Sequence, residues 1–130
     1  MYLDHIAIQV SDLERAIRFY QDLFGLRLMF KQRDETHHEA FAFLELEGGN
    51  LELLQVLDEE NRPVPFARPE AKPPFTPHIA LRSEDLADSE KDLKDKGVCI
   101  LKGPLEIPGQ VKWLYFSDPD GNVIELVEWI

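Results

Sequence analysis

From Leu3 to Val10 apolar and polar positions alternate, with Ile6, Ile8 and Val10 on one face and Leu3, His5, Ala7 and Gln9 on the other, which predicts a strand. The period then lengthens. Leu13, Ala16, Ile17, Tyr20, Leu23 and Phe24 recur at helical spacing, Ser11 with Glu14 matches a capping box, and Gly25 suits the C-terminal stop. Strand patterns follow at Leu26 to Gln32, Glu39 to Glu47 and Leu51 to Leu57, the last two joined by the Gly48-Gly49-Asn50 turn as a hairpin. The same order returns further on: a strand from His78 to Arg82, a helix from about Ser83 to Lys96 stopped at Gly97, and strands near Val98 to Leu101, Lys112 to Ser117 and Val123 to Trp129. Turn chemistry is concentrated in Asp118-Pro119-Asp120-Gly121-Asn122, before the last strand.

The two series are copies. Shifted by 73 positions, His5-Ile6-Ala7-Ile8 falls on His78-Ile79-Ala80-Leu81, Asp12-Leu13 on Asp85-Leu86, Gly48 on Gly121, and Leu51-Glu52-Leu53-Leu54 on Ile124-Glu125-Leu126-Val127. The expected architecture is α+β, with two tandem βαβββ modules over residues 1–57 and 78–130 forming one domain. Between them, residues 58–77 hold six of the nine prolines and read as a stiff, extended linker.

Alternation decides where the repeated polar residues point. Glu52 shares a face with Leu54 and Val56, Glu125 with Val127 and Trp129, and His78 with Ala80 and Arg82. With Ile6, Ile8, Leu53, Ile79, Leu81 and Leu126 packed under the helices, His5, Glu52, His78 and Glu125 all fall on the helix-free face. The interval from His5 to Glu52 is 47 residues, and so is that from His78 to Glu125. A carboxylate bracketed by leucines is costly to bury without a partner. If the first and last strands of each module are neighbours, each pair is a buried His–Glu ion pair, and both together make a shell for one divalent metal. The duplicated spacing favours the metal or catalytic reading over a purely structural pairing.

Charge narrows the partners. The 130 residues carry 14 basic and 25 acidic side chains, a formal charge of −11, which repels nucleic acid. No apolar run approaches the roughly 20 residues of a membrane-spanning helix, and Met1 leads into a strand pattern instead of a signal sequence, so a cytoplasmic protein without membrane contact is expected. Cys99, the one cysteine, has no partner for an internal disulfide and reads as a small buried hydrophobe. His37 and His38 adjoin at a polar turn and would point to opposite faces of a strand, which argues against a joint metal site. Trp113, Tyr115 and Trp129 suit either a cleft lining or the core.

The motifs Asp4-His5-Ile6-Ala7-Ile8, Ala16-Ile17-Arg18-Phe19-Tyr20, Pro77-His78-Ile79-Ala80-Leu81 and Asp118-Pro119-Asp120-Gly121-Asn122-Val123-Ile124-Glu125-Leu126 are similar to those of the glyoxalase, bleomycin-resistance and extradiol-dioxygenase (vicinal oxygen chelate) superfamily. The resemblance covers essentially the whole chain. It implies two βαβββ modules in a cupped mixed sheet around one divalent metal (Ni, Zn, Co, Mn or Fe), with ligands at His5, Glu52, His78 and Glu125, and it implies a homodimer. A His/Glu/His/Glu set most resembles glyoxalase I, lactoylglutathione lyase. That resemblance implies a lyase or isomerase moving a proton through a metal-stabilised enediolate of a hemithioacetal-like small molecule, with Glu125, or by symmetry Glu52, as the base. Bacterial glyoxalase I enzymes commonly carry an arginine and an asparagine for glutathione where this chain has Gln9 and Val56, which leaves the thiol open. Alternatives within the superfamily are an epimerase resembling methylmalonyl-CoA epimerase, a ring-cleaving dioxygenase using His5, His78 and Glu125, and a non-catalytic binding protein of the bleomycin-resistance kind.

Overall fold

The computed structural model describes residues 1–130, which divide into two compact units, Met1–Ala67 and Arg68–Ile130. Each unit is one βαβββ module. The first runs β1 (His5–Gln9), α1 (Leu13–Phe24), β2 (Leu28–Asp34), β3 (Glu39–Leu44) and β4 (Asn50–Val56). The second runs β5 (Ile79–Arg82), α2 (Leu86–Asp95), β6 (Ile100–Ile107), β7 (Val111–Ser117) and β8 (Val123–Trp129). Strand order is β1-β4-β3-β2 in one sheet and β5-β8-β7-β6 in the other, with a parallel first pair and antiparallel neighbours after it. First and last strands of each module are therefore adjacent, as a His–Glu meeting requires.

In the first unit α1 covers one sheet face with Leu13, Ala16, Ile17 and Tyr20. Beneath it lie Ala42, Leu44, Leu51 and Leu53, all buried, so the alternation of β3 and β4 sends Phe41, Phe43, Glu52 and Leu54 to the other face. The second unit repeats this with Leu86 and Leu93 of α2 over Leu114, Phe116, Ile124 and Leu126. A matched hydrogen bond ties each helix start to its sheet. Gln55 Oε1 accepts from the Leu13 amide at 2.9 Å, and Glu128 Oε2 accepts from the Leu86 amide at 2.7 Å. Both satisfy first-turn donors that a helix leaves open.

Several boundaries differ from the sequence expectation. The N-cap of α1 is Asp12, not Ser11: its extended backbone lets Oδ1 accept from the Arg15 amide, as Asp85 does for Asp88 in α2. The Ser11 hydroxyl is engaged instead by the Arg15 guanidinium. Ile6 is 40% exposed, although expected under a helix, because β1 is the sheet edge and the burial falls on Val10 at its end. The expected strand at Val98 to Leu101 is β6, which starts at Ile100 and runs on to Ile107 with register shifts around Gly103 and Pro104. That late start leaves Cys99 in the loop and exposed, correcting the expectation that it is buried. Trp129 is 60% exposed at the end of β8, so it does not belong to the core.

The turn Asp118 to Asn122 is built around one carboxylate. Asp118 is 2% exposed and accepts from the amides of Asp120 and Asn122 and from the Asn122 side chain. Gly121, at φ 84°, allows the chain at Arg68 and Pro69 to pass close by; a Cβ there would sit 2.8 Å from Arg68 Cγ.

The His37–His38 turn is a hairpin tip. Asp34 accepts from the amides of Thr36 and His37 and from His37 Nδ1 at 2.7 Å, while His38 Nδ1 meets Asn61 Oδ1 at 2.8 Å. The hydrogen bond with the Asp34 carboxylate raises the His37 imidazole above its ordinary value, and the same bond lowers Asp34. A lowered carboxylate stabilises above its unfolded value and loses that as pH falls through its folded value. A raised imidazole stabilises below its unfolded value and loses that as pH rises through its folded value. The tip is therefore most stable between about pH 4 and 6.5. Proton NMR titration should show the His37 midpoint raised above the ordinary imidazole value, and Asp34→Asn should lower it; a His37 midpoint unmoved by that substitution would show that the bond is not formed in solution.

Candidate functional site

The parallel pairing of β1 with β4 sets Ala7 opposite Glu52, and that of β5 with β8 sets Ala80 opposite Glu125. Each His stands two residues earlier on the same face, one diagonal step from its Glu. His5 Nε2 lies 3.2 Å from Glu52 Oε2, and His78 Nε2 lies 2.7 Å from Glu125 Oε2. The carboxylate side chains are each 15% exposed, the imidazoles 38% and 22%.

The other ring nitrogen is fixed in both halves. His5 Nδ1 donates to the Asp4 carboxylate, and His78 Nδ1 donates to the Phe75 carbonyl at 3.0 Å. That bond with Asp4 holds the His5 imidazole above its ordinary range, against the lowering effect of burial and with the charge of Glu52 adding to it. With Nδ1 carrying the donated proton, Nε2 presents its lone pair to a carboxylate oxygen. Two acceptors at this separation are held together by a proton or a cation.

This arrangement fits a divalent metal on its own chemistry. Ligating histidines characteristically donate their second ring nitrogen to a carboxylate or backbone carbonyl, which sets the tautomer and aims the free nitrogen. Imidazole and carboxylate are both donor types that a divalent ion such as zinc accepts, so His5 with Glu52 and His78 with Glu125 would offer it mixed nitrogen and oxygen donors. The structure thus brings His5 to Glu52 and His78 to Glu125. No three His, Cys, Asp or Glu side chains are grouped so as to hold a metal ion, and each unit presents one His–Glu pair.

Aromatic side chains flank both pairs. Phe43 is the register partner of Glu52 and Tyr115 that of Glu125. The Phe43 ring meets His5 edge-on at 5.0 Å, and Tyr115 meets His78 edge-on at 5.5 Å and lies 4.9 Å from Phe75. Asp4, Phe43 and Phe75 escaped the sequence reading as site residues. Asp4 precedes a candidate ligand directly, but nothing in the pattern marks Phe75, which contributes through its main-chain oxygen.

A cleft of about 370 Å³ in the first unit lies on the opposite, helix-covered face, lined by Asp12, Lys31, Arg33 and Gln55 among others. Its polar groups are engaged: Lys31 by Glu14, Gln55 by the Leu13 amide, and Arg33 by Glu35 and the Asn61 carbonyl. The repeated His–Glu pairs are the better site.

Known proteins resemble the chain along nearly its full length. The family model described as the Glyoxalase/Bleomycin resistance protein/Dioxygenase superfamily matches residues 2–126. The metallothiol transferase FosB of Bacillus licheniformis is 35% identical over 126 residues, covering 95% of this chain and 73% of that protein. A probable lactoylglutathione lyase of Synechocystis sp. is 29% identical over 136 residues, covering 98% and 95%. Among solved structures, the trypanothione-dependent glyoxalase I of Leishmania major superposes with a TM-score of 0.75 at 26% identity, covering 98% of this chain and 86% of that one.

Proposed function

Since the chain belongs to the glyoxalase/bleomycin resistance protein/dioxygenase superfamily, we propose that it is a metal-dependent lyase or isomerase of the glyoxalase I type. The residues assigned to metal binding in this reading are His5 and Glu52 of the first unit and His78 and Glu125 of the second. The observation that carries this reading is the same geometry in both units: an imidazole Nε2 facing a carboxylate, with Nδ1 tied to a fixed acceptor. A divalent ion supplies a Lewis acid that draws charge from two adjacent oxygens of a bound small molecule and so acidifies the carbon between them and its neighbour.

The chain's residues do the rest. Asp4 and the Phe75 carbonyl hold the imidazoles in one tautomer. Glu125 is the first choice to take a proton from one carbon and return it to the next, with Glu52 the symmetric alternative. Phe43 and Tyr115 wall the carboxylates and limit water beside them. The acting species is a cytoplasmic homodimer; no helix of the structure is long and apolar enough to cross a membrane.

A second reading, metallothiol transfer, draws on the higher identity to FosB. Glu52 favours isomerisation, because it gives the first unit a carboxylate for proton work equivalent to Glu125 in the second. Incubating the metal-loaded protein with methylglyoxal and glutathione in D2O separates the two. Isomerisation should give a 2-hydroxyacyl thioester carrying some solvent deuterium at C2 by NMR. No thioester, with free thiol consumed only when an electrophile is supplied, would replace this reading with thiol transfer.

A further inference from the structure

Three phenyl rings lie together on the helix-free face of the first unit. Phe30 is the register partner of Phe43 and stacks on it at 5.0 Å and 14°, and Phe41 stands edge-on to both at 6.2 Å. The cluster reaches His5 through Phe43. Phe30 is 47% exposed and Val56, on the same face, 38%. Phe41 and Phe43 are half-buried, so the rings form an open apolar wall rather than a finished core. The second unit has no equivalent three-ring cluster: Lys102 pairs with Tyr115 where Phe30 pairs with Phe43, and the Tyr115 ring lies against buried Phe75.

What covers this wall must also meet the polar groups set into it. Glu52 and His5 share the face, beside Phe43. A protein surface closing over the rings would also have to cover the His5–Glu52 pair beside them, which calls for polar atoms at that point. A small molecule with oxygens at one end and a flat apolar body at the other meets both. We infer that the substrate carries such a body, an aromatic ring in its simplest form, lying on Phe30 and Phe41 while its adjacent oxygens face the His5–Glu52 pair. This rests on the reading of that pair as metal ligands.

Two hydroxamates test it, since both offer adjacent oxygens to a metal and only one carries a ring. Calorimetric titration of the Zn2+-loaded protein should show benzohydroxamate binding at least about tenfold more tightly than acetohydroxamate. Phe30→Ala, at an exposed position, and Phe41→Ala should each collapse that ratio while leaving acetohydroxamate affinity unchanged. Equal affinities, or a ratio that survives both substitutions, would overturn the inference. So would a change in sedimentation from dimer to monomer in Phe30→Ala with the ratio intact, which assigns the wall to a second copy. Benzohydroxamate binding that is the same in zinc-loaded and metal-stripped protein, yet weakened by Phe30→Ala, supports the ring surface while removing the metal reading beneath it.

Discussion

Glu125→Gln leaves a folded protein whose turnover falls by about 100- to 10,000-fold, the range that a positioned general base contributes. The amide matches the carboxylate in shape, so the strand pairing of β8 with β5 and β7 is kept. Its NH2 group can donate to His78 Nε2 across the present 2.7 Å separation, so no buried acceptor is stranded. What is lost is the ability to take a proton. Circular dichroism melting, metal content and turnover measured on one preparation separate the effects. Metal retained with turnover lost makes Glu125 the base. Metal lost as well makes it chiefly a ligand, and near-normal turnover removes it from the chemistry. Running Glu52→Gln beside it shows which of two symmetric carboxylates moves the proton.

That both carboxylates are exchangeable on sequence grounds follows from how the fold is written into the chain. The 73-residue repeat and the two alternating patterns place β1, β4, β5 and β8 and decide which side chains leave the helix-covered face. Alternation is a local property, so it survives in a short window. Register across a hairpin is not local: Phe43 pairs with Glu52 nine residues on, while Tyr115 pairs with Glu125 ten residues on, so the flanking aromatics do not align at the repeat offset. Nor is a main-chain acceptor visible in side-chain identities, which hid the Phe75 carbonyl. The β6 boundary was obscured for another reason. Beyond Leu101, where the expected strand ends, the chain passes Gly103 and Pro104 by shifting register and resumes pairing at Leu105 with Trp113.

Cys99 and Ile6 show where alternation misleads. Each sits in an apolar pattern, and each is exposed: Cys99 because its strand starts one residue later, Ile6 because β1 has a neighbour on one side only. A period identifies a face but not how much lies over it. That limit applies to the aromatic wall too, since Phe30, Phe41 and Phe43 would read as core from their composition alone.

The metal itself gives the other large effect. Purified protein should contain a near-stoichiometric divalent ion per site by inductively coupled plasma mass spectrometry, and His5→Ala/His78→Ala should reduce it to background. Both substitutions remove the nitrogen of a His–Glu pair and leave the carboxylates, which then offer only oxygen donors with no imidazole to set geometry or softness. Asp4→Asn acts one step further out. It replaces the acceptor of His5 Nδ1 with a neutral one, so it should weaken metal binding by about 10- to 100-fold, the usual cost of losing such a support, without abolishing it. A graded series of wild type, Asp4→Asn and double alanine is what a metal shell predicts. If instead the protein purifies without metal, takes none up from nickel, zinc, cobalt or manganese, and binds its ligand equally after chelation, the His–Glu pairs are ion pairs of a binding protein. Iron in the wild type, with His5, His78 and Glu125 needed and Glu52 dispensable, would turn the chemistry toward oxygen.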